Sequence, residues 1–490
     1  MLKNINETVG LNLTLDPENW SDMRKIGHQM IDDIMDHLEH IRNQPSWRIM
    51  PLEAKQFLQK PVPQKPEDIN NVYQDFKKYI LPYNKGNIHP RFFAWVQGTG
   101  TPFGVLAEML AATMNPNNAI GEHAAMYVEL QVIEWCKQMM NFPPEASGIL
   151  LSGASMANVT ALTIARDHQL NLSVRKKGLR HVEPKMVLYC SEETHSCVQK
   201  AVELIGLGTD SIRKISTDAG YRINTELLAA AIEKDILDGF TPFCIVGNAG
   251  TVNTGAIDPI KEISAIAKKY NLWLHIDGAF GALAKMVPEY EEHLRYIEHA
   301  DSLAFDLHKW MYMPYEIACV LVRDKQAHRN SFALTPSYLE PETRGLAGGP
   351  EPFNNYGPEL SRGFKSLKVW MSLKEHGLEK YIAMIRQNIA QAFFLGHLVQ
   401  QEEQLELLTP VTLNIVCYRY VSDGLTNEKL NSLNKEILIR LQEQGIASPS
   451  STILKGKYAI RVAITNQRSR QSDFELLVNE TLRIGNELRE

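Results

Sequence analysis

Apolar residues recur every three or four positions near the start of the chain, at Trp20, Met23, Ile26, Met30, Ile34, Leu38 and Ile41. This spacing predicts an amphipathic helix over 16–43, with Asp16-Pro17 as its cap and first turn. The proline-rich PVPQKP (61–66) reads as a connector, and a second helical segment follows to about Leu81. From His89 the period changes. Short, nearly continuous apolar runs alternate with helical patterns: GILL (148–151), KMVLYC (185–190), FCIVG (243–247), LWLHID (272–277), DSLAF (301–305) and IACVLV (317–322). Strands that are apolar on both faces and separated by helices predict an α/β protein with a mostly parallel sheet covered on each side. After about residue 365 the pattern turns helical, then returns to strand in VTLNIVCYRY (411–420) and YAIRVAIT (458–465). The expected organisation is an N-terminal helical segment (1–88), a large α/β domain (89–365) and a small C-terminal α+β domain (366–490). The long stripe of the first helix suits either its own domain or an arm laid against a partner subunit.

Composition narrows the class. The chain has 490 residues, 44% hydrophobic and 22% charged, which is ordinary globular composition. A net charge of −6 without a Lys/Arg cluster argues against a nucleic-acid partner. The cysteines (Cys136, Cys190, Cys197, Cys244, Cys319, Cys417) are scattered with no C-x-x-C pair, as expected of reduced thiols rather than a disulfide framework or a metal site. MLKNINETVGLNL lacks the apolar core of a secretory signal, and no apolar run is long enough to span a bilayer. These features lead to the expectation of a soluble cytoplasmic protein.

Candidate chemistry gathers at predicted strand ends, where ligands bind in open α/β sheets. In DSLAFDLHKWMYM (301–313), Lys309 stands among Leu303, Phe305, Leu307, Trp310, Met311 and Met313. Such neighbours would disfavour an ammonium and make a neutral, nucleophilic amine reachable. Asp277 ends the apolar strand of HIDGAF (275–280) and needs a partner if buried. In LLSGASMAN (150–158) a strand runs through small residues into a helix, whose N-terminus could hold an anion at Ala154 and Ser155. His195, in SEETHSCV (191–198), follows another buried strand and could stack on a ligand ring. One ligand satisfies all four: an aromatic aldehyde with a phosphate and a basic ring nitrogen. That ligand is pyridoxal 5′-phosphate (PLP), whose signature is a lysine bound to the aldehyde and an acid on the ring nitrogen.

The ordered set HPRFFAW, SGASMAN, THS, GTVNTGAID, LHIDGAFGA, LHKW and RGFKSLKVW resembles the group II PLP-dependent amino-acid decarboxylases, the aromatic-L-amino-acid, histidine and glutamate decarboxylases of aspartate-aminotransferase fold (PLP fold type I). The resemblance spans roughly residues 16–480. It implies a seven-stranded type of sheet, a homodimer, and decarboxylation of an L-amino acid, aromatic by family default, to an amine. It further implies that Lys309 links to the cofactor aldehyde, Asp277 keeps the ring nitrogen protonated, His195 and Ala279 flank the ring, and Thr251 sits near the phenolic oxygen. Ala154, Ser155 and His308 would hold the phosphate. Asp306 stands where relatives often carry asparagine. Trp95 and Val96, by position in the family's His-Pro motif, would line the substrate pocket, but WVQGTG (95–100) and NPNNAIGEHAAMY (115–127) are more polar than in aromatic-substrate relatives.

By the same resemblance a lid would cover 335–358, and a lid tyrosine would return a proton to Cα. Tyr356 is the favoured candidate, Phe353 lies near the same position, and Tyr338 is farther away. Phenylalanine there is associated in the family with oxidative deamination to an aldehyde. An aminotransferase would need the same Lys and Asp. A serine hydrolase using Ser155 is suggested by GASMA (153–157), which resembles the nucleophile elbow, but that reading leaves Asp277 and Lys309 without a task.

Overall fold

The computed structural model describes residues 14–181, 185–334 and 342–489. The chain divides into two compact units. One comprises the helical residues up to Gln44 together with Met50–Asn84; the other comprises Pro45–Ile49 and Lys85–Glu490.

In the first unit, helix α1 runs from Trp20 to Glu39 and a 3-10 turn follows at Ile41–Asn43. It starts later than the Asp16-Pro17 signal because Asn19 is the cap: its side-chain oxygen accepts from the Ser21 N–H at 2.9 Å. Of the apolar stripe, Ile26 and Ile41 are buried, whereas Trp20, Met23 and Met30 are exposed.

The second unit holds two sheets. The larger has seven strands: β2 (Ser147–Leu151), β3 (Lys185–Ser191), β4 (Ile212–Ile215), β5 (Phe240–Asn248), β6 (Trp273–Asp277), β7 (Ser302–Asp306) and β8 (Ala318–Val322). Their order is β2-β8-β7-β6-β5-β3-β4. Strands β4, β3, β5, β6 and β7 pair in parallel, and β8 lies between β7 and β2 and pairs antiparallel with both. Every residue of β2, β6, β7 and β8 is buried, which explains their unbroken apolar runs. The smaller sheet joins β1 (Phe92–Phe93) to β9 (Leu405–Leu407), β10 (Ile415–Tyr420), β11 (Ser448–Leu454) and β12 (Lys457–Ala463) in the order β1-β11-β12-β10-β9.

Five helices of this unit position the site: α2 (Ala124–Met140), α3 (Ala154–Gln169), α4 (Ser196–Leu204), α5 (Lys325–Phe332) and α6 (Ser366–Gln401). Helices α3 and α4 follow β2 and β3 directly, so their N-termini open at the edge of the sheet where β6 and β7 also end. Helix α6 kinks at Gly377, which has φ +69°. It anchors the turn after β7: Asn388 Oδ1 accepts from Trp310 Nε1 at 3.1 Å and from the Tyr312 hydroxyl at 2.8 Å, all three residues being buried. These bonds hold the backbone that directly follows Lys309. All six cysteines are buried and free, and among the described residues no helix is long and apolar enough to cross a membrane.

Candidate active site

A cavity of about 440 Å³ opens at the carboxyl ends of the parallel strands. Its lining gathers Ala154 and Ser155 from α3, His195 before α4, Asp277 and Ala279 after β6, His308 and Lys309 after β7, and Trp95 and Val96 from the segment after β1. Residues far apart in sequence meet because consecutive parallel strands deliver their C-terminal turns to one edge.

Lys309 reaches the cavity with its side chain 22% exposed, although every apolar neighbour named in its stretch is fully buried. Its amine is not held neutral by them. Burial disfavours the charge, but Asp306, whose Oδ2 lies 2.9 Å from Nζ, outweighs it with help from Asp277 and Tyr315, and the amine is raised above its usual value. The sequence expectation weighed the apolar neighbours and missed the acid one turn earlier. Asp306 Oδ1 also accepts from the Ala154 N–H at 2.7 Å, so this carboxylate caps α3 and pairs with the lysine at once. Replacing it by asparagine should leave the cap and remove the charge. Asp306→Asn is expected to make the amine of the cofactor-free protein several-fold more reactive toward an aldehyde at neutral pH. The rate of PLP capture followed by absorbance checks this; an unchanged rate would mean that Asp306 does not control the lysine.

His308 lies against Tyr315, ring centroids 4.3 Å apart, and its Nδ1 accepts from the Ile317 N–H at 3.1 Å. Burial pushes its pKa down, so Nε2 carries the hydrogen and points to the Asp306 side, 3.8 Å from Oδ2. His195 caps α4, its Nδ1 accepting from the Cys197 N–H at 3.1 Å. Its pKa is also lowered by burial, against the opposing pull of Asp277. Asp277 Oδ1 accepts from Ala279 N–H at 3.1 Å, while Oδ2 accepts from Asn158 Nδ2 at 3.3 Å and faces the Cys197 thiol at 3.7 Å.

Two expected site residues lie elsewhere. Thr251 is buried between Gly250 and Val252, which do line the cavity; its hydroxyl turns inward to Thr254 Oγ1 at 2.9 Å and accepts from Ala256 N–H at 3.1 Å. Tyr356 is buried in a different apolar cluster, its ring edge-to-face with that of His328 at 5.0 Å, and does not line the cavity. Its hydroxyl donates to Glu351 at 2.6 Å, and burial with that carboxylate drives its pKa upward. His328 on α5 binds the Tyr356 carbonyl through Nε2 at 2.7 Å, and Lys325 and Arg329 hold Glu351 at 3.1 and 2.7 Å. Glu351 and Tyr356, within the stretch expected to form the lid, are thus tied to α5. Phe353 is buried there as well, its N–H donating to Ala119 O at 2.9 Å. Tyr338 lies outside the described residues.

The cavity also contains Gln97, from the quoted WVQGTG, and residues that sequence reasoning passed over as site residues: Cys197, Asn248, Phe280 and Tyr315. The Tyr315 hydroxyl donates to Gln97 Oε1 at 3.1 Å and accepts from the Gly98 N–H at 3.1 Å, giving one wall a polar seam. Gly98 is required there, since a Cβ would lie 1.6 Å from the His308 carbonyl oxygen. Asn248 is held by Asp258, which accepts from its N–H and its Nδ2 at 2.8 Å each, and Asn248 in turn donates to Thr194 Oγ1 at 2.9 Å, next to His195.

The donor set fits PLP at the ring and aldehyde, with a lysine amine, an acid and a flanking imidazole in one cavity. At the phosphate end the α3 N-terminus and His308 Nε2–H supply donors, while Asp306 already takes one backbone N–H.

The profile of the pyridoxal-dependent decarboxylase conserved domain matches residues 51–421. The chain is 34% identical over 466 residues to an aromatic-L-amino-acid decarboxylase of Bacillus atrophaeus, covering 94% of each. It is 30% identical to a phenylacetaldehyde synthase of Arabidopsis thaliana over 93% of this chain and 94% of the relative. In fold it matches the Oryza sativa TDC solved with PLP and tryptamine, with a TM-score of 0.90 and 24% identity over 97% of this chain and all of that one.

Proposed function

Because the chain belongs to the pyridoxal-dependent decarboxylase family and acts as a PLP-dependent amino-acid decarboxylase, we propose specific roles for the residues of its cavity. The carrying observation is that Lys309, Asp277 and His195, from three strand ends, line one cavity beside the small-residue N-terminus of α3. When bound, the cofactor supplies an electron sink for the charge left at Cα as CO2 departs. Lys309 would hold the cofactor through its aldehyde. Asp277 keeps the ring nitrogen protonated, so that the sink stays cationic. His195 covers one face of the ring and Ala279 the other. Ser155, the Ala154 turn and His308 hold the phosphate. Thr251 and Tyr356 take no part in this assignment.

The substrate we assign is an aromatic L-amino acid and the product its amine. Trp95, Val96, Val252 and Phe280 give the cavity apolar walls, and the Bacillus relative carries that activity in its name. The Gln97–Tyr315 seam favours a ring bearing a polar group. The Arabidopsis aldehyde synthase supports a second reading, decarboxylation coupled to oxidative deamination, with dioxygen as the oxidant and CO2, aldehyde, ammonia and peroxide as products. The enzyme is proposed to be a cytoplasmic homodimer; its six buried free thiols suit a reducing compartment, and the exposed Trp20, Met23 and Met30 of α1 offer an apolar face to a second copy. Turnover of a panel of amino acids with PLP tests the assignment. Equal yields of CO2 and amine from an aromatic substrate are expected; aldehyde with ammonia and peroxide would replace it by the second reading.

A further inference from the structure

Behind Asp277 lies a row of polar groups that the assigned chemistry does not use. Trp273 and His275 lie on β6, Ser302 on the adjacent β7, and Asn158 on α3 above them; all are at least nine-tenths buried. Trp273 Nε1 is 2.8 Å from Ser302 Oγ, Ser302 Oγ is 2.9 Å from His275 Nδ1, His275 Nε2 is 2.6 Å from Asn158 Oδ1, and Asn158 Nδ2 is 3.3 Å from Asp277 Oδ2. The two ends fix the order of the hydrogens between them. An indole N–H can only donate, and a carboxylate can only accept. Ser302 Oγ accepts from Trp273, and because the Asp277 end turns the Asn158 amide group toward itself and its oxygen toward His275, Ser302 passes its own hydrogen to His275 Nδ1. The imidazole then carries its hydrogen on Nε2 and donates to Asn158 Oδ1. Any reversal would oppose two donors or two acceptors in a buried site. The imidazole is neutral, burial pushing its pKa down to about 4 against the pull of Asp277.

We propose that this row is a one-way hydrogen-bond relay, with Asn158 and His275 as positioning residues that set the plane of the Asp277 carboxylate toward the cofactor ring nitrogen. The inference rests on the reading that Asp277 takes that nitrogen. The Cys197 thiol, 3.7 Å from the same Oδ2, adds a weak second donor, and Asn158 Nδ2 lies 3.3 Å from its sulfur. A fixed carboxylate presents its remaining lone pair without paying to reorient when the ring arrives.

The relay makes a prediction that simple packing does not. Glutamine at 275 can accept at one atom and donate at the other, as the imidazole does, whereas leucine fills the space and breaks the row. His275→Gln is expected to bind PLP as the wild type does, and His275→Leu roughly tenfold more weakly. Asn158→Asp keeps the shape but replaces the donor to Asp277 by an acceptor, and should lose at least as much. PLP titration of the cofactor-free chain, followed by the visible absorbance and circular dichroism of the bound cofactor, reads both affinity and ring orientation. Equal affinities and spectra for the Gln and Leu variants would overturn the relay, as would wild-type binding by Asn158→Asp. If Asn158→Asp does not fold, Ser302→Ala replaces it, with several-fold weaker binding expected and wild-type binding overturning the proposal. A wild-type chain that takes up no PLP at Lys309 would instead overturn the parent reading.

Discussion

Asp277→Asn lowers turnover by on the order of 10²–10³-fold while the fold survives: this is the expected result with the largest effect on chemistry. The reaction needs a cation at the ring nitrogen when negative charge develops at Cα. An acid held by the Ala279 N–H and Asn158 Nδ2 on fixed elements supplies the opposing charge without rearranging. Asparagine has the same shape and no charge. One of its atoms can still accept from Asn158, and the bond most at risk is that from Ala279, worth about 1 kcal/mol. Steady-state rates set beside PLP content and melting profiles separate the two effects. A fully active variant would remove Asp277 from its assigned role.

The second large effect concerns stability. Arg362 is buried and spans three elements: it donates to Glu129 on α2, to Asn118 O at 2.9 Å and to Leu150 O on β2 at 2.7 Å. Glu129 is fully buried too and also accepts from Asn118 Nδ2 at 2.6 Å. Burial pushes the Glu129 pKa up, and the Arg362 charge pulls it back. Removing the arginine alone strands a carboxylate in low dielectric. Arg362→Met is therefore expected to cost about 3–5 kcal/mol, read as a lower urea midpoint at unchanged slope. Arg362→Met with Glu129→Gln should recover much of this loss, because the uncompensated charge is then gone. A single-variant loss below about 1 kcal/mol would show that the pair behaves like an exposed one.

Most of the large sheet could be read from the chain because parallel strands buried on both faces leave unbroken apolar runs. The strands that escaped notice are polar or short: β4 reads IRKI, β11 reads SPSSTIL, β9 has three residues and β1 two. Edge and half-exposed strands lack that signal. Lys309, Asp277, His195, Ala154 and Ser155 could be picked out because each lies at or just past the end of an apolar strand, so its place at the cavity edge follows from topology, whereas Ala279 and His308 were named from the family resemblance. Thr251 and Tyr356 lie in irregular turns, where the direction of a side chain depends on contacts that no linear pattern carries. Asp306 was visible as a residue, but its pairing with Lys309 required the turn geometry. His275 and Asn158 stood inside quoted motifs. A polar residue within an all-buried strand was the available clue, and its meaning needed the neighbouring strand and helix to be stacked in register.

Gly98 carries a consequence for how this enzyme could change its substrate. A Cβ at 98 would lie 1.6 Å from the His308 carbonyl oxygen, so the Trp95–Gln97 wall and the turn bearing Lys309 are in backbone contact and cannot slide independently. Widening the cavity by shifting that wall would drag the reactive amine out of register with the ring. Under the proposed assignment, specificity would be changed by exchanges of side chain at 95–97, 252, 280 and 315, a small set that a combinatorial library could cover while the backbone of the reaction centre stays in place.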